Sequence, residues 1–133
     1  MNIIITNKKK LLPLSICFLL LVTMYGCSSS KNIKGVSKDI YKEGTKYAEV
    51  LYSIKDDYDN YKKYDTDEVY NFLNQKLDNE VDEEFIKLVG VLYVLNSMYL
   101  AAHVSKNDQS IEETVKNMDE IVDELKDKYG VEF

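Results

Sequence analysis

The chain has 133 residues, and its 17 basic side chains, all lysine, face 23 carboxylates. Residues 1–26 carry three of the lysines and no acid, so 14 lysines meet 23 carboxylates over residues 27–133, a net of −9. That balance, with no guanidinium fork to grip phosphate, argues against a nucleic-acid partner, and 45% hydrophobic content is too apolar for a wholly disordered chain.

The first element is a leader. Lys8, Lys9 and Lys10 form a basic head, Leu11 to Tyr25 is an apolar run broken only by Pro13, Ser15 and Thr23, and Gly26 is a small residue before Cys27. A basic head, an apolar centre and a small cleavage residue make the pattern of a signal peptide. The run is short of the about 20 apolar residues of a membrane-spanning helix.

The stretch TMYGC followed by three serines resembles the lipobox of bacterial lipoproteins, a resemblance confined to residues 1–30. It implies a diacylglyceryl group on the Cys27 sulfur and cleavage between Gly26 and Cys27, so that Cys27 becomes the acylated N-terminus. The signal peptide is then 1–26, and the protein is held extracytoplasmically on the cell membrane or outer membrane. At least two acyl chains would be attached, the number that gives stable anchoring where one chain binds only marginally. Cys17 leaves with the leader and Cys27 is consumed by lipid, so no disulfide is expected.

Residues 27–37 read as a lipidated tether. Ser28 to Ser37, SSSKNIKGVS, is polar and has no hydrophobic period, and its ten residues extend at most about 33 Å. The remaining 38–133 read as a helical domain.

A first helix is expected from about Lys38 to Lys63, with an apolar stripe at Ile40, Gly44, Tyr47, Leu51, Ile54, Tyr58 and Tyr61 stepping by fours and threes. Asp65 to Glu68 forms a capping box for a second helix to about Leu77 that would bury Val69, Tyr70, Leu73 and Leu77. A third helix, about Glu83 to Val104, is expected to start at an Asp82 cap, with Val81 stapled to Ile86. From Leu88 to Ala102 its only polar side chains are Tyr93, Asn96, Ser97 and Tyr99. Fifteen residues rise only about 22 Å, too short for a bilayer core, so it reads as the buried central helix. A fourth helix follows a capping box at Ser110–Glu113, buries Ile111, Val115, Met118, Val122, Leu125 and Tyr129, and stops at Gly130. The fold expected is all-α, a small three- to four-helix up-and-down bundle.

Chemistry-bearing patterns are sparse. His103 is the only histidine, and with no free thiol beside it no ordinary zinc site can be assembled. The acid run from Asp78 to Glu84 fails the calcium-loop pattern, because its sixth position is Glu83 where glycine is needed and its twelfth is Val89 where glutamate is needed. No cofactor, metal or catalytic residue is therefore assigned. Ten tyrosines and no tryptophan fall within 27–133. Most lie on core stripes, but Tyr52 sits among charges on the first helix, and Tyr93 or Tyr99 would be exposed if the third helix is incompletely covered. These three are the candidate partner-binding residues, since tyrosine brings contact area at low entropic cost. On this reading Tyr52→Ala leaves stability nearly unchanged. The function expected is a non-enzymatic, lipid-anchored module that binds another protein. It would be an assembly or pilot factor, or an exclusion or immunity lipoprotein, with a surface-displayed adhesin-like protein as the alternative.

Overall fold

A computed structural model describes residues 34–133, except Asn60 and Lys62. The leader, the Gly26–Cys27 junction and the lipidation of Cys27 lie outside the described residues. The described part is 76% helical with no strand, an all-α bundle of four helices.

Helix α1, Lys38–Tyr52, buries Gly44, Tyr47, Ala48 and Leu51, the spacing of one helical face. It ends at Tyr52 and passes into a 3-10 turn, Ser53–Lys55, that buries Ile54. The continuous helix expected to Lys63 does not form. Asp56, Asp57 and Asp59 come next, and carboxylates at the negative helix end oppose its dipole while aspartate is itself a poor helix former.

Helix α2, Thr66–Leu73, starts where the capping box places it: the Asp65 side chain accepts from the backbone N–H groups of Asp67 and Glu68, at 2.9 and 3.2 Å. It stops four residues before Leu77. Val69 and Phe72, three apart, share the buried face, and Tyr70, turned about 100° from Val69, is exposed rather than buried.

Helix α3, Glu80–Ser105, begins one turn earlier than expected because Asn79, not Asp82, is the cap. Asn79 Oδ1 accepts from the Asp82 backbone N–H, and Asp82 Oδ2 accepts from Asn79 Nδ2. The pair resembles a capping box, with the Asp82 carboxylate bonded to the Asn79 side-chain amide in place of its backbone N–H. The same Asp82 carboxylate accepts from the backbone N–H and the hydroxyl of Ser37, at 2.7 and 2.6 Å. Three donors from two residues, Ser37 and Asn79, thus satisfy a buried carboxylate, and Ser37 fastens the start of α1 to the start of α3. Val36, placed in the tether by sequence, is fully buried, so chain order begins before residue 38.

Helix α4, Asp108–Tyr129, is capped by Asn107 rather than Ser110, with Asn107 Oδ1 accepting from the Ser110 backbone N–H at 3.1 Å. It ends at Gly130, whose φ of 70° is the left-handed turn that glycine adopts without strain. The Gly130 and Val131 N–H groups close back on Lys126 and Leu125 carbonyls.

Ser37 meets Asp82 and Leu51 meets Asn96, so α1 and α3 run parallel. Tyr41 reaches Gly130 and Tyr52 reaches Asp119, so α4 is antiparallel to both. The short α2 returns the chain between α1 and α3, completing an up-down-up-down order. Helix α3 is the one described helix long and apolar enough to cross a bilayer. It serves as the central helix, burying Phe85, Ile86, Val89, Leu92, Leu95, Asn96, Tyr99 and Ala102. The fully buried Asn96 has a clear role: its Nδ2 donates to the Leu51 carbonyl at 2.8 Å, and its Oδ1 accepts from the Tyr64 hydroxyl at 3.1 Å. Leu51 lies in the last turn of α1, where carbonyls lack a helical partner; Asn96 supplies one for the Leu51 carbonyl and is itself satisfied by Tyr64.

Candidate functional site

The loop from Asp56 to Asp65 crosses the C-terminal half of α3 and brings tyrosines with it. Tyr58 lies flat on His103, with centroids 4.2 Å apart and planes 10° apart, and tilts against Tyr99 at 6.4 Å. Tyr61 meets Tyr64 edge-on at 6.1 Å, and Tyr64 meets Tyr93 in the same way at 6.1 Å. These edge-to-face and offset pairings are the favourable arrangements of aromatic quadrupoles. Between loop and helix lies an open groove of about 440 Å³, lined by Tyr58, Asp59, Tyr61, Lys63, Tyr64, Thr66 and Leu100.

Burial raises the hydroxyl pKa of Tyr64, with the neighbouring Tyr61 adding to the effect, and burial also raises those of Tyr61 and Tyr99. These groups stay phenols at neutral pH. They are neutral rings with hydroxyls, suited to packing and hydrogen bonding, and not to acting as bases. Among the described residues no three His, Cys, Asp or Glu side chains cluster to hold a metal ion.

The same shifts predict an alkaline limit. Burial pushes Tyr47 up to about 12, with Glu43 contributing, and Tyr52 and Tyr129 are raised as well. A phenol whose folded pKa exceeds its unfolded value near 10 contributes fully below that pH and progressively less as the pH climbs through the raised value. The urea midpoint is therefore expected to hold steady up to about pH 10 and then fall, with tyrosinate absorbance lagging that of the unfolded chain. Coincident tyrosinate titrations of folded and unfolded protein would contradict the burial.

Of the three tyrosines singled out by sequence, two belong to this cluster. Tyr93 is half-buried at its edge and Tyr99 is buried beneath it. Tyr52 is elsewhere. Its hydroxyl donates to Asp119 Oδ1 at 2.6 Å, its ring meets Phe133 edge-on at 5.5 Å, and Lys55 Nζ lies 4.6 Å from the ring centroid. Its neighbours on α1 are charged, but the side chain is tied to α4 and to the C-terminus. Tyr52→Ala is accordingly expected to cost about 2 kcal/mol, and Tyr52→Phe about 1 kcal/mol through the lost hydrogen bond. Urea denaturation measures both; losses under about 0.5 kcal/mol would restore Tyr52 as a free surface ring.

The sequence allows for an uncovered side of α3 but points to Tyr93 or Tyr99 on it, whereas Tyr99 is buried and the open side is aliphatic. Val91, Val94, Met98 and Val104 are 43, 55, 52 and 78% exposed, and Ala101 is exposed with them. The signal was the uncharged run itself, which has too many apolar positions for one buried stripe. Comparison of the chain with family models, curated proteins and solved structures returns no match.

Proposed function

We propose that the chain is a lipid-anchored extracytoplasmic protein, attached through Cys27, whose helical domain binds another protein and catalyses nothing. The binding surface is the tyrosine-lined groove on the C-terminal half of α3. One observation carries this reading: Tyr58, Tyr61 and Tyr64 line an open groove beside Leu100, with Asp59, Lys63 and Thr66 at its edges. Tyrosines supply rigid contact area, and the mixed polar groups supply hydrogen bonds, the composition of protein-recognition surfaces. Such a module fits an assembly or pilot factor of the envelope, or an exclusion or immunity lipoprotein that blocks an incoming element or toxin.

The test is photo-crosslinking in intact cells with benzoylphenylalanine replacing Tyr61, a ring-for-ring exchange, and with Lys116 on α4 as the comparison position. A discrete protein adduct from position 61 and none from 116 is the expected result. Identical adduct patterns at both positions, or none at either, would remove the groove as a binding surface.

A further inference from the structure

We propose that the exposed stripe of α3 lies on the bilayer to which Cys27 is attached, so that the helix rests in the interface plane. This rests on the lipid-anchor reading above. The stripe comprises Val91, Val94, Met98, Ala101 and Val104. It runs about 20 Å along the helix at 1.5 Å per residue.

Three observations select the membrane as occupant. The first is charge. Residues 88–105 carry no lysine, aspartate or glutamate, while Lys87 and Lys106 bracket the run. Both lysines are exposed, and their aliphatic stems allow the ammonium groups to reach the headgroup level. The outer face of α4 is the reverse, densely charged, with Glu112, Glu113, Glu120, Asp123 and Asp127 exposed beside Lys116, Lys126 and Lys128. On α3 itself the exposed acids Glu80, Glu83 and Glu84 all precede Lys87, so the segment from Val91 to Val104 is the part of the domain that anionic lipid repels least.

The second is reach. Seven residue steps separate Cys27 from Lys34, a span of at most about 24 Å. Lys34 is held at the end of the bundle where α3 begins, its Nζ donating to the Asp127 carbonyl at 3.1 Å. Val91 lies eleven residues into α3 from Glu80, about 16 Å along the axis. The tether therefore lets the stripe reach the surface, and it keeps the local concentration high enough for a weak apolar contact to be populated.

The third is size. The exposed apolar area of these side chains is of the order of a few hundred Å², short of the about 800 Å² each partner gives to a stable association. A second copy docking on the stripe alone is underprovided, whereas a tethered bilayer contact needs no such area.

The experiment uses the full chain, processed and acylated, reconstituted in phosphatidylethanolamine–phosphatidylglycerol vesicles. Bimane is placed on the thiol introduced by Met98→Cys and, separately, by Glu120→Cys on the outer face of α4. Both side chains are exposed, and each labelled protein is first shown to keep the parent's circular dichroism and melting temperature. Nitroxide on the phospholipid acyl chain is expected to quench position 98 at least about threefold more than position 120. Equal quenching overturns the proposal. So does a position 98 shielded from aqueous iodide but untouched by the lipid nitroxide, which would mean that a protein or a second copy covers it. Flotation with the vesicles and the mass of the Cys27 peptide separate the two readings. Floating, acylated protein with an unquenched position 98 ends this proposal alone, and an unacylated chain that does not float ends the anchor reading and this one with it.

Discussion

Phe85→Ala is expected to destabilise the domain by about 3–5 kcal/mol, a large share of the 5–15 kcal/mol that a domain of this size possesses. Phe85 is fully buried and sits where three helices meet. Its ring stacks with Tyr41 of α1 at 5.8 Å and meets Tyr129 of α4 edge-on at 5.1 Å. It also occupies the space over Gly44: a Cβ built there would fall well inside contact distance of the Phe85 ring and 3.0 Å from Phe72. Truncating Phe85 therefore opens a cavity bordered by α1, α3 and α4 at once, and no single helix can shift to fill it. The converse change supplies an internal check. Gly44→Ala alone is expected to cost about 1–3 kcal/mol by overpacking against the ring, despite a helix-propensity gain of about 1 kcal/mol. In the double variant the new methyl group has room, so the two losses should fall short of additivity by about 1 kcal/mol. Urea denaturation of the four proteins closes the cycle. Strict additivity would mean that Phe85 does not press on Gly44 and that the parallel α1–α3 contact is looser than drawn.

The parts of the fold that were legible in the sequence are those fixed within one turn. The Asp65 cap and the Gly130 stop are local chemistry, and both stand where the residue types put them. The helix faces of α1 and α4 were legible because each carries a polar side that says which way is out. Helix α3 has no such contrast between residues 88 and 105, so periodicity could not distinguish its core side from its open side. The start of α3 was missed for a different reason: Asn79 and Asp82 are both good caps, and only the bond from Ser37, 45 positions away, decides that the aspartate is the inner partner. The end of α1 was missed because the apolar stripe continues through Tyr58 and Tyr61 at helical spacing. Those rings are instead recruited by His103 and Tyr64, and Asp56, Asp57 and Asp59 around Tyr58 favour leaving the helix. The contacts of Tyr52 are not legible for the same reason, its partners Asp119 and Phe133 lying at the other end of the chain. The tyrosine groove follows from that misread segment. A loop that had stayed helical to Lys63 would have carried Tyr58 and Tyr61 along α1, with no element crossing α3 to line a groove.

Cys27→Ser is expected to abolish fatty-acid labelling completely and to leave the precursor uncut, 26 residues longer than the mature chain. The reason is chemical. A thioether to diacylglycerol needs a thiolate-forming nucleophile, and a serine hydroxyl, although almost the same size, does not ionise in this range. With no diacylglyceryl group on residue 27, the cut after Gly26 that the lipobox resemblance implies does not follow. Two acyl chains make an anchor because each buried methylene contributes about 0.8 kcal/mol, so the loss is not a graded weakening but the removal of the whole attachment. The unprocessed variant can still be held by its own leader, through the apolar run from Leu11 to Tyr25, so membrane fractionation alone would mislead. Labelling with an alkyne fatty acid, read beside the intact mass, separates the two forms of attachment. The folded domain is expected to be indifferent to the change, because its described N-terminal end is closed by bonds from Lys34 and Ser37 to Asp127 and Asp82. An unaltered melting temperature together with lost labelling is therefore the expected pair of results. Labelling that survives the substitution would place the lipid elsewhere and undo both the address and the bilayer contact argued from it.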